Sequence, residues 1–251
     1  MVAVKDLSYM LRLLVLISIL ATVTPAQSRA PVVVELFTSE GCSSCPPADS
    51  LLMRLSRAMP DVEVIPLSEH VDYWNQLGWK DPFSSQLFSA RQQDYGRIFR
   101  LDSVYTPQMV VNGEAQLLGS DRARAEQEIR KAALAPHASV ELTKLSDEMV
   151  RLKIDNIPQG TRNADMFLAI TDTFIETDVR DGENAGRHLQ HTGVVRSLVS
   201  VAHVDAKKTS AYTADAKINL NPQWRSPNIK LVLFVQDRAT RKIIGATSLH
   251  L

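Results

Sequence analysis

Cys42-Ser43-Ser44-Cys45 holds the only two cysteines of the 251-residue chain, two residues apart. The pair lies between an apolar, β-branched run (Val32-Val33-Val34-Glu35-Leu36-Phe37) and a helix expected to start at Cys42 or just after it. A thiol at a helix start faces unsatisfied backbone N–H groups and the positive end of the helix dipole, so its thiolate is stabilised and becomes a usable nucleophile. On this reading Cys42 attacks and Cys45, one turn further in, resolves, with thiol–disulfide exchange as the chemistry. Two other readings stay open. An inert disulfide is a poor staple here, because it closes a very small loop. A metal site is incomplete for zinc or copper with two cysteines alone. The exchange reading needs neither metal nor cofactor.

Several polar residues can serve this pair. Glu40 stands two positions before Cys42, where its charge would raise the thiol pKa and oppose the helix dipole. His70-Val71-Asp72-Tyr73-Trp74 leaves the carboxyl end of the second expected strand, the end at which α/β sites form. His70 can pass protons to and from Cys42 with Asp72 orienting it. The competing reading makes His70 and Asp72 loop-capping groups and sets Trp74 and Trp79 over the core. Arg91, beside Gln92 on the next helix, is expected to meet Asp72 or Glu40, or else water. Thr106-Pro107 leads a strand, where proline cannot donate to the ladder and where a cis bond costs little. Chain order brings this dipeptide beside the cysteines, so Thr106, Pro107, Ser43 and Ser44 are the expected substrate-facing residues. His188 and His191 can ligate a metal if they share a face, and otherwise pack between domains.

The elements that position these residues follow from periodicity and punctuation. Residues 32–37 read as a buried strand, Pro46 to Met59 as a helix with Leu51, Leu52 and Leu55 on one side, and Val62 to Leu67 as a second strand. A loop from Ser68 to Pro82 precedes a helix from Ser84 to Phe99. Val104 to Val111 and Ala115 to Leu118 flank the hairpin signal Asn112-Gly113, and Asp121 caps a helix over Arg122 to Leu134. This β-α-β-α-β-β-α order predicts an α/β domain with a mixed sheet over residues 31–136. Beyond Pro136 the pattern alternates (Val140 to Leu145, Met149 to Ile154), with further strands at Met166 to Thr171, Val194 to Val204, Ala216 to Leu220, Ile229 to Asp237 and Ile243 to Leu249. Residues 138–251 are therefore expected to form a second, all-β domain, a small sandwich packed on the first.

The 28 basic and 28 acidic residues balance, so no net field calls for nucleic acid. Lys5 and Arg12 precede the apolar run Leu13 to Ala21, followed by Thr24-Pro25-Ala26, which reads as a signal peptide over residues 1–28. The run falls short of a membrane span, so no span is expected after cleavage, and the protein is expected in the periplasm or secreted. There a disulfide persists.

A strand, a Cys-x-x-Cys at a helix start, a second βα unit and a Thr-Pro before a closing hairpin and helix resemble the thioredoxin fold. The resemblance implies a cis proline facing the disulfide. More specifically, the chain resembles a family of exported bacterial thioredoxin-like proteins, domain of unknown function 1223. The residues that carry this are Val34 to Asp49, His70-Val71-Asp72-Tyr73-Trp74, Gly78-Trp79-Lys80-Asp81-Pro82-Phe83, Arg91-Gln92, Tyr105-Thr106-Pro107-Gln108, Glu183-Asn184-Ala185-Gly186 and Val232 to Gln236. The chain departs from thioredoxin itself in having Gly41 before the first cysteine and Ser43-Ser44 between the two. The expected activity is thiol–disulfide oxidoreduction on a protein or small-molecule thiol or disulfide. The alternative is a non-catalytic binding protein with a structural disulfide.

Overall fold

The computed structural model describes residues 30–224 and 226–251; the expected signal peptide lies outside the described residues. Its strands are β1 (Val32–Thr38), β2 (Val64–His70), β3 (Gln108–Val111), β4 (Ala115–Leu118), β5 (Ser139–Lys144), β6 (Met149–Asp155), β7 (Asn163–Asp172), β8 (Ile175–Asp178), β9 (His188–His191), β10 (Val194–Asp205), β11 (Tyr212–Lys217), β12 (Ile229–Asp237) and β13 (Ile243–His250). The helices are α1 (Pro46–Ala58), α2 (Gln86–Phe99) and α3 (Arg122–Ala132).

β1 is buried at every position because both faces of its sheet are covered. Val32, Val34 and Leu36 pack with Leu51, Leu52 and Leu55 of α1 and Ala125 and Ile129 of α3. Val33 and Phe37 point the other way, Val33 into a cluster with Phe88 of α2 and Phe37 into one with Tyr95. The period of two in a strand thus assigns α1 and α3 to one side and α2 to the other. β2 runs parallel to β1, β3 antiparallel to it, and β4 closes the hairpin through Asn112 and Gly113, both at positive φ.

The halves expected to stand as two domains share one sheet. Its eight strands run β13-β12-β7-β10-β2-β1-β3-β4. β10 joins β2 at a single register pair, Val194 with Ser68, and Ser68 N–H bonds Gly193 O at 2.8 Å. Gly193 has φ +63, and a Cβ there would lie 2.3 Å from Pro66 O, so the join admits only glycine. Pro66 is tolerated inside β2 for a related reason. Ser68 N–H points to the outer edge, so by alternation Pro66 sits on that edge, where β10 asks for no second bond.

Alternation in the second half explains the continuity. Met166, Leu168 and Ile170 of β7 face Val150, Leu152 and Ile154 of β6, in the three-stranded sheet β11-β6-β5. Phe167 and Ala169 face the opposite way, with Val232 and Phe234 of β12, and join Val33, Ile65 and Phe88 of the first half. Strands apolar on both faces need two covers, and the three-stranded sheet supplies one. The short hairpin β8–β9 stands apart from both sheets and packs against α1.

Candidate functional site: the disulfide and its surroundings

Cys42 and Cys45 are joined in a disulfide, with Cα atoms 5.4 Å apart. Pro46 and Pro47 are the first two residues of α1 and Cys45 is its N-cap, so the helix starts after both cysteines rather than at Cys42. That changes the electrostatics expected from sequence. The two prolines carry no N–H, and Ala48 and Asp49 both donate back to Cys45 O at 2.8 and 3.2 Å. The helix therefore retains its dipole at this end but offers the sulfurs no free N–H from its first turn. Hydroxyls stand in: Thr106 Oγ1 donates toward Cys42 Sγ at 3.5 Å, and Ser44 Oγ lies 3.4 Å from the same sulfur.

Thr106 is itself fixed by Trp74, whose Nε1 donates to Thr106 Oγ1 at 2.8 Å. The Thr106–Pro107 bond is cis, and Pro107 O accepts Gly119 N–H at 2.9 Å. Ser43 and Ser44 are exposed, Thr106 is partly exposed and Pro107 is buried. Both cysteines have 0 % exposure.

His70 is buried, but its partner is Asp81, not Asp72: Nδ1 and Asp81 Oδ2 are 2.7 Å apart. The strand carries His70 inward, whereas Asp72, two residues beyond its end, turns to α2 and accepts from Ser89 Oγ at 2.5 Å. Burial alone would raise the Asp81 pKa. His70 and the N–H groups of Glu40 and Phe83 outweigh it and hold that carboxyl below its usual range.

Arg91 meets neither Asp72 nor Glu40. It lies on the inward face of α2 with Phe88 and Tyr95, where its Nε is 2.6 Å from Glu35 Oε1 and 3.5 Å from Glu69 Oε1. Its guanidinium also reaches Gln236 Oε1 and stacks over Phe167 and Phe234. Burial disfavours its charge, but Glu35, Tyr95 and Glu69 more than restore it. Glu69 sits in the same core; burial first, then the neighbouring Glu35, drives its pKa well up and favours the protonated acid.

Glu40 is fully buried, turned inward to accept from Trp79 Nε1 at 2.8 Å. Its other oxygen lies 3.4 Å from Nε2 of His191. On the far side of that imidazole, Nδ1 is 3.6 Å from Asp49 Oδ1 of α1. These are ion-pair distances, and none of the four facing atoms has a hydrogen-bond partner among the described residues. Burial opposes charge on His191, but Asp49 and Glu40 raise its pKa to about 10. An imidazolium is thus lodged between the carboxylates that flank the Cys-Ser-Ser-Cys loop. His70 packs edge-on against it, ring centres 4.9 Å apart.

His188 and His191 do not form the metal pair that their spacing allowed. Three apart on a strand, they point to opposite faces: His188 is exposed beside Asp178 and Glu176, and only His191 reaches the site. No group of three His, Cys, Asp or Glu side chains among the described residues is placed to hold a metal ion. A second contribution from the far half is not foreseen from sequence. Asn184 Nδ2 donates to Glu40 O at 2.8 Å and to Cys42 O at 2.9 Å, and Glu183 Oε2 accepts Ser43 N–H at 3.1 Å. The tetrad Glu183-Asn184-Ala185-Gly186 is visible as a motif, but its target is not.

A disulfide on a βα loop, approached by residues of both halves, is the geometry to set against known proteins. The family model for DUF1223, a protein of unknown function, matches residues 33–236. The chain belongs to the DUF1223 family. Among solved structures, this DUF1223 chain is similar to a protein from Agrobacterium tumefaciens at 29% identity and TM-score 0.72, covering 89% of this chain and 96% of that one. A domain of the outer membrane lipoprotein Omp28 from Porphyromonas gingivalis aligns over 46% of this chain and 88% of that one, at 10% identity and TM-score 0.25, too low to bear on the fold. No curated protein matches.

Proposed function

We propose that this protein is an exported thiol–disulfide oxidoreductase of the periplasm or extracellular space, with a thioredoxin-like region over residues 31–136 and an accessory β-rich region over 138–251. The observation that carries the reading is the Cys42–Cys45 disulfide at the N-terminus of α1 with the Thr106 hydroxyl on Cys42 Sγ. In the oxidised form, a thiolate of a substrate dithiol attacks Cys42 Sγ. A bond forms between these sulfurs, the Cys42–Cys45 bond breaks, and Cys45 leaves as a thiolate that takes up a proton. The second substrate thiol then gives up its proton and attacks its own sulfur in the mixed disulfide, releasing Cys42 as a thiolate. Two electrons have passed from the substrate to the pair. The reduced pair runs the same steps backwards on a substrate disulfide. Thr106 and Ser44 serve as hydroxyl donors to the Cys42 thiolate in place of the N–H groups that the prolines remove.

The test is equilibration of the pair against glutathione, with a Cys45→Ala variant to trap a mixed disulfide. A potential above roughly −300 mV together with trapped partners is expected; a potential below that range and no trapping sinks the reading. The second reading, a binding protein with a structural disulfide, is favoured by one observation, the complete burial of both sulfurs.

A further inference from the structure

Exchange requires a substrate sulfur to reach Cys42, and Cys42 has no exposed surface. Part of its cover comes from the far half of the chain. Residues 179–187 connect β8 to β9 beside the cysteine loop; Val179 at the start is buried, and of residues 180–187 every one is exposed except Asn184, which is fully buried.

All three polar positions of that one carboxamide are used. Nδ2 donates to Glu40 O and Cys42 O, and Oδ1 accepts from Arg187 Nη1 at 3.1 Å. Next to it the Glu183 carboxylate takes Ser43 N–H. The bound groups are backbone: the carbonyl two residues before Cys42, its own carbonyl, and the amide just after it. The turn therefore occupies the polar edge that an incoming chain would meet on its way to the sulfur. Besides these bonds the turn rests on buried Val179 at its base and on Gly182, which lies close against Gly78 and Trp79; a surface segment with so few buried side chains opens locally at low cost.

We propose that Asn184 is a specificity-determining residue of the disulfide site. It clasps the 180–187 turn over Cys42 and sets which thiols reach the sulfur; this rests on the exchange reading above. The substrate that lifts the clasp is an extended, cysteine-containing peptide segment. Its amide groups replace the donors to Glu40 O and Cys42 O, and an acidic side chain beside its thiol replaces Glu183 on Ser43 N–H. A compact thiol needs less of the turn to move.

Asn184→Asp keeps the shape of the side chain but turns the donor toward Glu40 O and Cys42 O into an acceptor. The probes are dithiothreitol and a reduced peptide with two cysteines and flanking glutamates, each reacting with the oxidised protein. Two buried hydrogen bonds hold the closed turn by a factor on the order of ten or more, so the peptide rate is expected to rise more than about fivefold, and by more than the dithiothreitol rate. A smaller rise, or equal factors for the two probes, overturns the proposal. Circular dichroism checks that the variant is folded. If it is not, Glu183→Ala decides, because among the described residues its exposed side chain bonds only Ser43, through the N–H and the hydroxyl; there the peptide rate is expected to at least double, and no rise overturns the clasp. The equilibrium potential is read separately. A potential in the structural range with a large rate effect removes the exchange reading and leaves the clasp, whereas a redox-active potential with no rate effect does the reverse.

Discussion

His191 is held as a cation by two carboxylates in a site that excludes water, and this makes stability depend on pH in a defined direction. Its folded pKa, about 10, lies above the ordinary 6.5 of a free imidazole. The unfolded chain therefore gives up the proton first. The contribution is fully present below about pH 6.5 and is lost as pH rises toward 10. Denaturant titration of the wild type across this window should show a loss on the order of a few kcal/mol, and His191→Gln should flatten it. An unchanged slope in the variant would mean that some other group carries the pH dependence. Arg91 gives a second test at this scale. Arg91→Ala leaves Glu35 buried without its counter-charge and should cost roughly 3–5 kcal/mol, with much of the loss recovered in an Arg91→Ala, Glu35→Gln double variant. Of these residues the cysteines and Thr106-Pro107 were legible, because spacing and proline chemistry are local. The partners of His70 and Arg91 were not. Asp81 lies near the far end of a loop whose path no periodicity describes, and Glu35 is hidden inside an otherwise apolar strand.

At the scale of elements, legibility followed burial. β1 and α1 could be read closely because β1 is a short, nearly continuous apolar and β-branched run and the apolar residues of α1 recur near every 3.6 residues. β8 and β9 could not: Ile175-Glu176-Thr177-Asp178 and His188-Leu189-Gln190-His191 are short and polar, and their role is to carry His191 and Asn184 to a loop far earlier in the chain. The helix that carries Arg91 is set by its cap. Ser85 Oγ accepts Leu87 N–H at 3.2 Å, while Ser85 N–H bonds His70 O at 3.0 Å, so one residue starts α2 and ties it to the end of β2. Ser85→Ala should lower stability by about 1 kcal/mol in chemical denaturation. No loss would mean that packing of Phe88 and Tyr95 alone positions the helix.

For the whole molecule, the two halves read from sequence are joined more tightly than the short link at residues 136–138 suggests. The pattern of apolar residues changes there, which is why the sequence suggests a boundary. The continuation of the sheet was not, because it rests on one register pair and on the second face of β7 and β12. A fragment ending at Pro136 would expose Val33, Ile65 and Phe88, whose cover comes from Phe167, Val232 and Phe234. Expressed alone, it should lack cooperative unfolding and bind a hydrophobic dye. A stable, cooperatively folding fragment would show that the first half is a domain in its own right. Gly193→Ala probes the same seam from within the intact chain and should destabilise it by roughly 1–3 kcal/mol, since the new methyl meets Pro66 O at a positive φ.

Trp74 and Trp79, two of the three tryptophans, bond to the site at opposite ends, one through the hydroxyl on Cys42 and the other through the carboxylate on His191. A disulfide quenches a nearby indole and a thiol pair does so less. The protein thus carries its own optical gauge: emission should brighten when the bond is reduced. Loss of the His191 charge above pH 10, beside the Glu40 carboxylate that Trp79 bonds, should shift the colour of emission rather than its brightness.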